Sequence, residues 1–191
     1  MKTTKLLLVP ALAMMTLVGC KGKKATPIEK ETGAKEISVP FSSKEYKTDE
    51  DFYRARSSGK SPDMAAAKKI ALNNAKSEMA SNIQTMIKKV TDQYTNQRTV
   101  GKDQEYENKF EELAREVTNQ SLANIRVKDE KIFQEGNGSY TYWVAIEADK
   151  KEVFKQIDSK ISSDKKLQLD YDKAKFQQIF DAEMKKLANE Q

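Results

Sequence analysis

The chain has 191 residues, with 34 Lys and Arg against 29 Asp and Glu, one cysteine and no histidine. The missing histidine excludes Ser-His-Asp and Cys-His catalysis, histidine-ligated metal sites and imidazole pH switching together. Charges alternate in sign along the sequence. Nucleic-acid binding wants a one-signed stripe with aromatic platforms, so no nucleic-acid partner is expected.

In chain order, an export signal comes first. Lys2 and Lys5 charge the N-terminus, no acidic residue precedes Glu29, and Leu6 to Val18 is almost wholly apolar, broken by Pro10 and Thr16. As a helix this run would reach roughly 20 Å, short of the roughly 30 Å hydrocarbon core of a bilayer, so it reads as a secretory signal and not as a membrane span. It ends in Leu17, Val18, Gly19 and Cys20, which resemble the lipobox of bacterial lipoproteins. That resemblance implies diacylglycerol on the Cys20 thiol, removal of residues 1–19 as signal peptide, and acylation of the new amine. Two or more acyl chains hold a protein on a membrane, whereas one does so only marginally. The competing reading is a buried structural cysteine, which position, flanks and spacing disfavour.

Losing Lys2 and Lys5 leaves 32 basic residues against 29 acidic ones, and a lipidated Cys20 leaves no thiol for an internal disulfide. Residues 20–36 read as a lipidated tether, too poor in apolar side chains to order itself. Lys21 is not an inner-membrane retention aspartate, which favours the outer membrane. No acidic run follows Cys20, which favours a domain facing the periplasm.

An α+β domain is expected over residues 37–161. Ile37 to Phe41 is a short extended piece demoted to an edge or loop by Pro40. Phe52 to Arg56 alternates as a strand does, and Ser57-Ser58-Gly59-Lys60 is expected to end it. Ser61 is a candidate N-cap, with Pro62 at the first helical position. Ala67, Ala71, Ala75, Met79, Ile83, Met86 or Ile87, Val90 and Tyr94 recur at the helical period, with Ile70 and Leu72 widening the stripe. The alanine-rich first half suits close approach to a sheet, and the bulkier second half suits a partner helix. After a turn at Thr95 to Asp103, a second helix is expected from about Gln104 to Ser121.

Asn124 to Phe133 is rich in β-branched residues. Gly136-Asn137-Gly138 marks a hairpin turn, and Ser139 to Ala148 alternates as the clearest strand in the chain. Asp149 is expected to cap a helix from Lys150 to Ile161, with Val153, Phe154 and Ile157 inward. Residues 162–191 form a separate C-terminal amphipathic helix with Leu169, Phe176, Ile179, Phe180, Met184 and Leu187 along its apolar stripe, placed either on the domain or on another chain.

This βααββα order behind a lipobox is similar to the LPP-twenty family of bacterial outer-membrane lipoproteins. The likeness rests on Phe52-Tyr53-Arg54-Ala55-Arg56-Ser57-Ser58-Gly59, on the alanine-spaced run Ala65 to Ala80, and on Tyr140-Thr141-Tyr142-Trp143-Val144-Ala145-Ile146-Glu147. It implies a small dodecin-like α+β domain in which a long helix covers a three-stranded antiparallel sheet, used for assembly and not for catalysis. The second helix and the C-terminal helix depart from the family's minimal pattern.

Few residues stand out as sites. Tyr140, Tyr142 and Trp143 are candidates for an aromatic groove, although aromatics on a hairpin strand more often pack across strands. Arg54 and Arg56 project to one side of a strand and suit an anionic partner, or form a salt-bridged face. Glu111, Glu112 and Glu116 cluster on one helix, but interleaved Lys109 and Arg115 mark that face as solvated. No metal-ligand spacing and no cofactor motif is present. The expected function is a lipid-anchored envelope lipoprotein, held by membrane lipid through acylated Cys20, whose non-catalytic domain binds an envelope protein, with a homo-oligomer as the further option. A periplasmic carrier or sensor of a small ligand or glycan is the alternative. A hydrolase using Ser-Lys or carboxylate chemistry is the remote one.

Overall fold

The computed structural model describes Ala34, residues 37–97 and residues 104–190. The lipobox positions Leu17, Val18, Gly19 and Cys20, and the tether save Ala34, lie outside the described residues. The unit from Ser38 onward contains strand β1 (Phe52–Ser61), helix α1 (Met64–Asn96), helix α2 (Gln104–Ala123), strand β2 (Arg126–Gln134), strand β3 (Tyr140–Asp149), helix α3 (Lys150–Ser163) and helix α4 (Lys173–Glu190). The fold is α+β, with a three-stranded antiparallel sheet in the order β1-β3-β2 packed against helices.

Strand β1 does not end at Ser57. It continues through Ser58, Gly59 and Lys60 to Ser61, pairing Gly59 with Tyr142 and Ser61 with Tyr140. The residues expected to break the strand are retained because one of them meets the helix. A Cβ on Gly59 would sit 2.4 Å from the Ala67 carbonyl oxygen and 2.5 Å from the Ala71 nitrogen. Only a bare backbone admits α1 so closely to the sheet. The helix cap also moves from Ser61 to Asp63, whose carboxylate accepts from the Ala66 N–H at 2.7 Å.

Helix α1 is 33 residues long, about 50 Å at about 1.5 Å per residue. Ala67, Ala71, Ala75, Met79, Ile83, Met86, Ile87, Val90 and Tyr94 are all buried on it. Ile70, placed in the stripe by periodicity, is 40% exposed. The alanine half lies on Tyr53, Ala55, Tyr142, Val144, Ile146 and Ala148 of the sheet. The second half runs past the sheet and is covered by α2 through Phe110, Leu113 and Val117, and by α4 through Phe176, Ile179, Phe180 and Met184.

Helix α4 therefore packs on its own domain. The Tyr53 hydroxyl donates to the Met184 sulfur at 2.7 Å, Gln93 donates to Glu183 at 2.7 Å, and the Asp172 N–H donates to the Tyr94 hydroxyl at 2.7 Å. The rings of Tyr94, Tyr171 and Phe176 stack edge to face at the joint. Leu169, assigned to this apolar stripe, lies in a short 3-10 turn ahead of the helix and is 79% exposed. Asp149 caps α3 as expected, accepting from the Lys151 and Glu152 N–H groups. In the hairpin turn Gly138 alone takes a positive φ, 81°.

The other face of the sheet carries an arm, residues 41–49. Phe41 is buried at a φ of 59°, its ring lies 4.8 Å from that of Tyr46, and its carbonyl accepts from Arg56. The Tyr46 hydroxyl donates to Asp129 of β2 at 2.6 Å.

Candidate functional site

The strand register divides the expected aromatic groove. Tyr142, with Tyr140 on the same side, faces α1, while Trp143 faces the opposite side between Ser58 and Lys131. Tyr142 is buried beneath Lys68 and Glu130, which form an ion pair at 3.1 Å. Burial, then the Glu130 carboxylate, pushes the Tyr142 hydroxyl above its ordinary pKa, with Lys68 opposing. Tyr140 is half-buried and accepts from Gln134 at 3.5 Å. These aromatics pack within and across strands, and no single groove collects all three.

Arg54 and Arg56 are also committed internally. The Arg54 guanidinium is 7% exposed, donates to the Lys47 carbonyl at 2.7 Å and to Glu147 at 3.2 Å, and pairs with Asp49. Thr48 accepts from the Arg54 N–H at 3.0 Å and donates to its carbonyl. Burial works against the Asp49 carboxylate, but Arg54 and two backbone N–H groups more than compensate and hold its pKa below the usual value. Arg56 binds the Phe41 carbonyl. Both arginines fasten the arm to the sheet.

The acidic helix face behaves as a solvated one. Glu116 pairs with Lys160, and Lys109 lies 3.8 Å from Glu112 and 3.3 Å from Asp164. No group of three or more His, Cys, Asp or Glu among the described residues could hold a metal ion. A half-open cleft of about 670 Å³ lies between α1 and α2, with Ile87, Tyr106, Phe110 and Ala114 as its apolar floor and Lys88 and Arg115 on its rim.

Two features escaped the sequence reading. Lys150 is 3% exposed, and its ammonium has no hydrogen-bond partner. Burial lowers its pKa, opposed in part by Asp49, Asp51, Glu50 and Asp181. The second is strand β2. Eight of its nine residues are exposed, among them Val127 (48%), Ile132 (47%) and Phe133 (46%).

The register explains how β2 is left open. The Glu135 N–H donates to the Ser139 carbonyl and the Lys150 N–H to the Asp51 carbonyl, so the odd-numbered residues of β3 point their backbone groups towards β2, and Arg126, Asp129, Lys131 and Phe133 sit opposite them. Hence Val127, Glu130, Ile132 and Gln134 turn their own N–H and C=O groups to the free side. The opposite edge, on β1, is partly closed. Thr48 holds both backbone groups of Arg54, the Asp49 N–H donates to the Phe52 carbonyl, and Asn74 donates to the Ser58 carbonyl. The sequence signal for β2 was its poor apolar alternation, Arg-Val-Lys-Asp-Glu-Lys-Ile-Phe-Gln, which marks a strand without a buried face.

No protein-family model, curated protein or solved structure matches this chain.

Proposed function

We propose that this chain is a lipid-anchored bacterial envelope lipoprotein of the LPP-twenty kind, with a non-catalytic assembly domain that recognises a protein partner along the open edge of β2. The observation that carries the anchoring is the run Leu17-Val18-Gly19-Cys20 closing a charged and then apolar leader. The recognition half rests on β2. Its unpaired backbone groups, flanked by exposed Val127, Ile132 and Phe133, are those to which an added strand binds. Acyl chains on Cys20 would confine the domain to a surface, outer membrane and periplasmic side in this reading, and so raise the effective concentration of a partner held there.

The test is metabolic labelling of the full-length chain with a fatty acid, beside Cys20→Ser. Label and membrane association in the parent, both lost in the variant, are the expected result. Continued labelling of Cys20→Ser, or a wild-type chain that is unlabelled and freely soluble, overturns the anchoring.

The cleft between α1 and α2 favours a second reading, a carrier of a small ligand, because about 670 Å³ over an apolar floor is the size of a small-molecule site. Native mass spectrometry of the purified chain decides this: a stoichiometric bound mass lost on Phe110→Trp supports it, and a clean apo mass counts against it.

A further inference from the structure

We propose that two copies of this chain pair antiparallel through residues 130–134 of β2, joining their sheets into one six-stranded sheet with Ile132 facing Ile132 across a two-fold axis. The proposal rests on the reading of β2 as the recognition edge and names its occupant.

The free edge restricts how a second copy can bind. A β-bulge between Val127 and Asp129 shifts the register at the start of β2. Bulges twist a strand away from a would-be neighbour, and an exposed lysine such as Lys128 discourages pairing further. The regular part of the edge is therefore Glu130 to Gln134, with outward backbone groups at Glu130, Ile132 and Gln134. In an antiparallel pair, residues directly opposite must both turn their hydrogen-bonding groups to the shared edge or both turn them away. A two-fold axis through any residue from Glu130 to Gln134 meets that condition. Axes through Phe133 or Gln134 leave the outward groups of Glu130 opposite residues beyond the end of β2, so axes through Glu130, Lys131 and Ile132 are left to compare.

Charge selects among them. A centre on Glu130 sets the two Glu130 carboxylates face to face, and a centre on Lys131 does the same with two ammonium groups; both are unfavourable pairings. A centre on Ile132 opposes Ile132 to Ile132 on the helix-side face, Glu130 to Gln134 beside it, and Lys131 to Phe133 on the arm-side face. These are an apolar pair, a carboxylate with an amide donor, and a cation with an aromatic ring. The two exposed apolar side chains of the segment, Ile132 and Phe133, are both covered in this register. Lys131 already lies over an aromatic ring, that of Phe41, 5.3 Å from its centroid. Glu130 keeps its exposed ion pair with Lys68. The exchange supplies about six backbone hydrogen bonds, two for each facing pair.

The test uses the full-length chain in detergent-solubilised membranes, with copper-phenanthroline oxidation and non-reducing gels. Across the Ile132-centred axis the two Ile132 Cα atoms would lie about 5.5 Å apart, within disulfide reach, while the two Glu130 Cα atoms would lie roughly 14 Å apart. Ile132→Cys should give a covalent dimer, with at least tenfold less from Glu130→Cys. Equal or stronger dimer from Glu130→Cys, no dimer from Ile132→Cys, or an Ile132→Cys adduct with a different protein each overturns the proposal.

Wild type, with Cys20 as its only cysteine, is the control. Oxidative dimer in wild type reports an unlipidated Cys20 and strikes at the anchoring, whereas the contrast between positions 132 and 130 reports the edge. As a second measurement, Ile132→Pro removes an N–H that points outward, leaving the ladder to β3 intact. Sedimentation should shift from dimer to monomer at unchanged far-ultraviolet circular dichroism, and a fully dimeric, folded Ile132→Pro variant overturns the pairing.

Discussion

Replacing Gly59 with alanine is the sharpest test of how the long helix sits on the sheet. The added methyl would lie 2.4 Å from the Ala67 carbonyl oxygen, 2.5 Å from the Ala71 nitrogen and 2.7 Å from the Ile70 Cβ. None of these is the tip of a flexible side chain, so rotamer changes cannot relieve the overlap. Bringing the shortest contact to about 3.4 Å requires the first turns of α1 to lift by roughly 1 Å, and a gap of that size forfeits a quarter to a half of the dispersion energy of the atoms it separates. Overpacking of this kind costs about 1–3 kcal/mol. Alanine returns about 0.5–1 kcal/mol by stiffening the unfolded chain.

The upper part of the range applies, because backbone and not side chain must yield, so the expected net loss is about 2 kcal/mol. In urea, with a slope of about 2 kcal/mol per molar, the midpoint should fall by about 1 M. A methyl at Gly136 would meet nothing within 4 Å and the residue has no positive φ, so Gly136→Ala keeps only the unfolded-state gain and should hold the midpoint or raise it by up to about 0.5 M. An unchanged or raised midpoint for Gly59→Ala would refute the close approach of helix and strand.

Two further substitutions probe the buried charges. Lys150→Met removes an ammonium that is buried without a partner, so stability at neutral pH should rise by about 1–3 kcal/mol. Because burial lowers the folded-state pKa of Lys150 below its ordinary 10.5, the unfolded chain binds more protons between those two values. Wild-type stability should therefore climb with pH through that window, and Lys150→Met should lack this component, as paired urea titrations from neutral pH to 10.5 would show. Arg54→Ala unfastens the arm. Asp49 is half-exposed and keeps the Asp51 and Phe52 N–H groups, and Glu147 keeps Arg126 at 3.5 Å and Lys128 at 3.6 Å. No carboxylate is left buried alone, so the expected loss is about 1.5–3 kcal/mol, that of hydrogen bonds to a charged group. Limited proteolysis should then cut first within residues 41–50, and an arm as resistant as in wild type would count against its attachment through Arg54.

What the sequence disclosed followed from periodicity, and what it concealed depended on neighbours distant in the chain. The stripe from Ala67 to Tyr94 is legible because a helix buries one face whatever covers it. Nothing local says that Gly59 belongs inside a strand, since its role is set by Ala67 and Ala71 arriving overhead, and a Ser-Ser-Gly-Lys run otherwise reads as a breaker. Leu169 shows the reverse: its spacing from Phe176 fits a helix, yet the chain makes a 3-10 turn first and leaves it outside.

The candidate site was legible only in part. Arg54 and Arg56 were rightly placed together on one face, but the arm that consumes their donors could not be foreseen, because residues 41–49 carry no periodic signal. Tyr140, Tyr142 and Trp143 adjoin in sequence, and the two-residue period of a strand parts them. The exposure of β2 was written in its charges, yet exposure alone does not distinguish an edge from a loop. The register with β3 was needed for that.

The two edges of the sheet bear on what kind of assembly the fold permits. If both β1 and β2 were open, a copy added to either would leave a fresh edge, and strand addition would continue as a filament. Here Thr48, Asp49 and Asn74 occupy backbone groups of Phe52, Arg54 and Ser58, so β1 offers an interrupted template. A two-fold pairing at β2 consumes the only uninterrupted edge on each copy among the described residues. If copies pair at β2 as proposed, growth stops at two, and the arm, which holds Arg54 and so keeps Thr48 and Asp49 against β1, is what closes the other edge. The same Arg54→Ala variant that loosens the arm should consequently form species larger than the dimer in sedimentation, and these should disappear when Ile132→Pro is added. Higher species that survive Ile132→Pro would mean that aggregation proceeds through some surface other than the sheet edges.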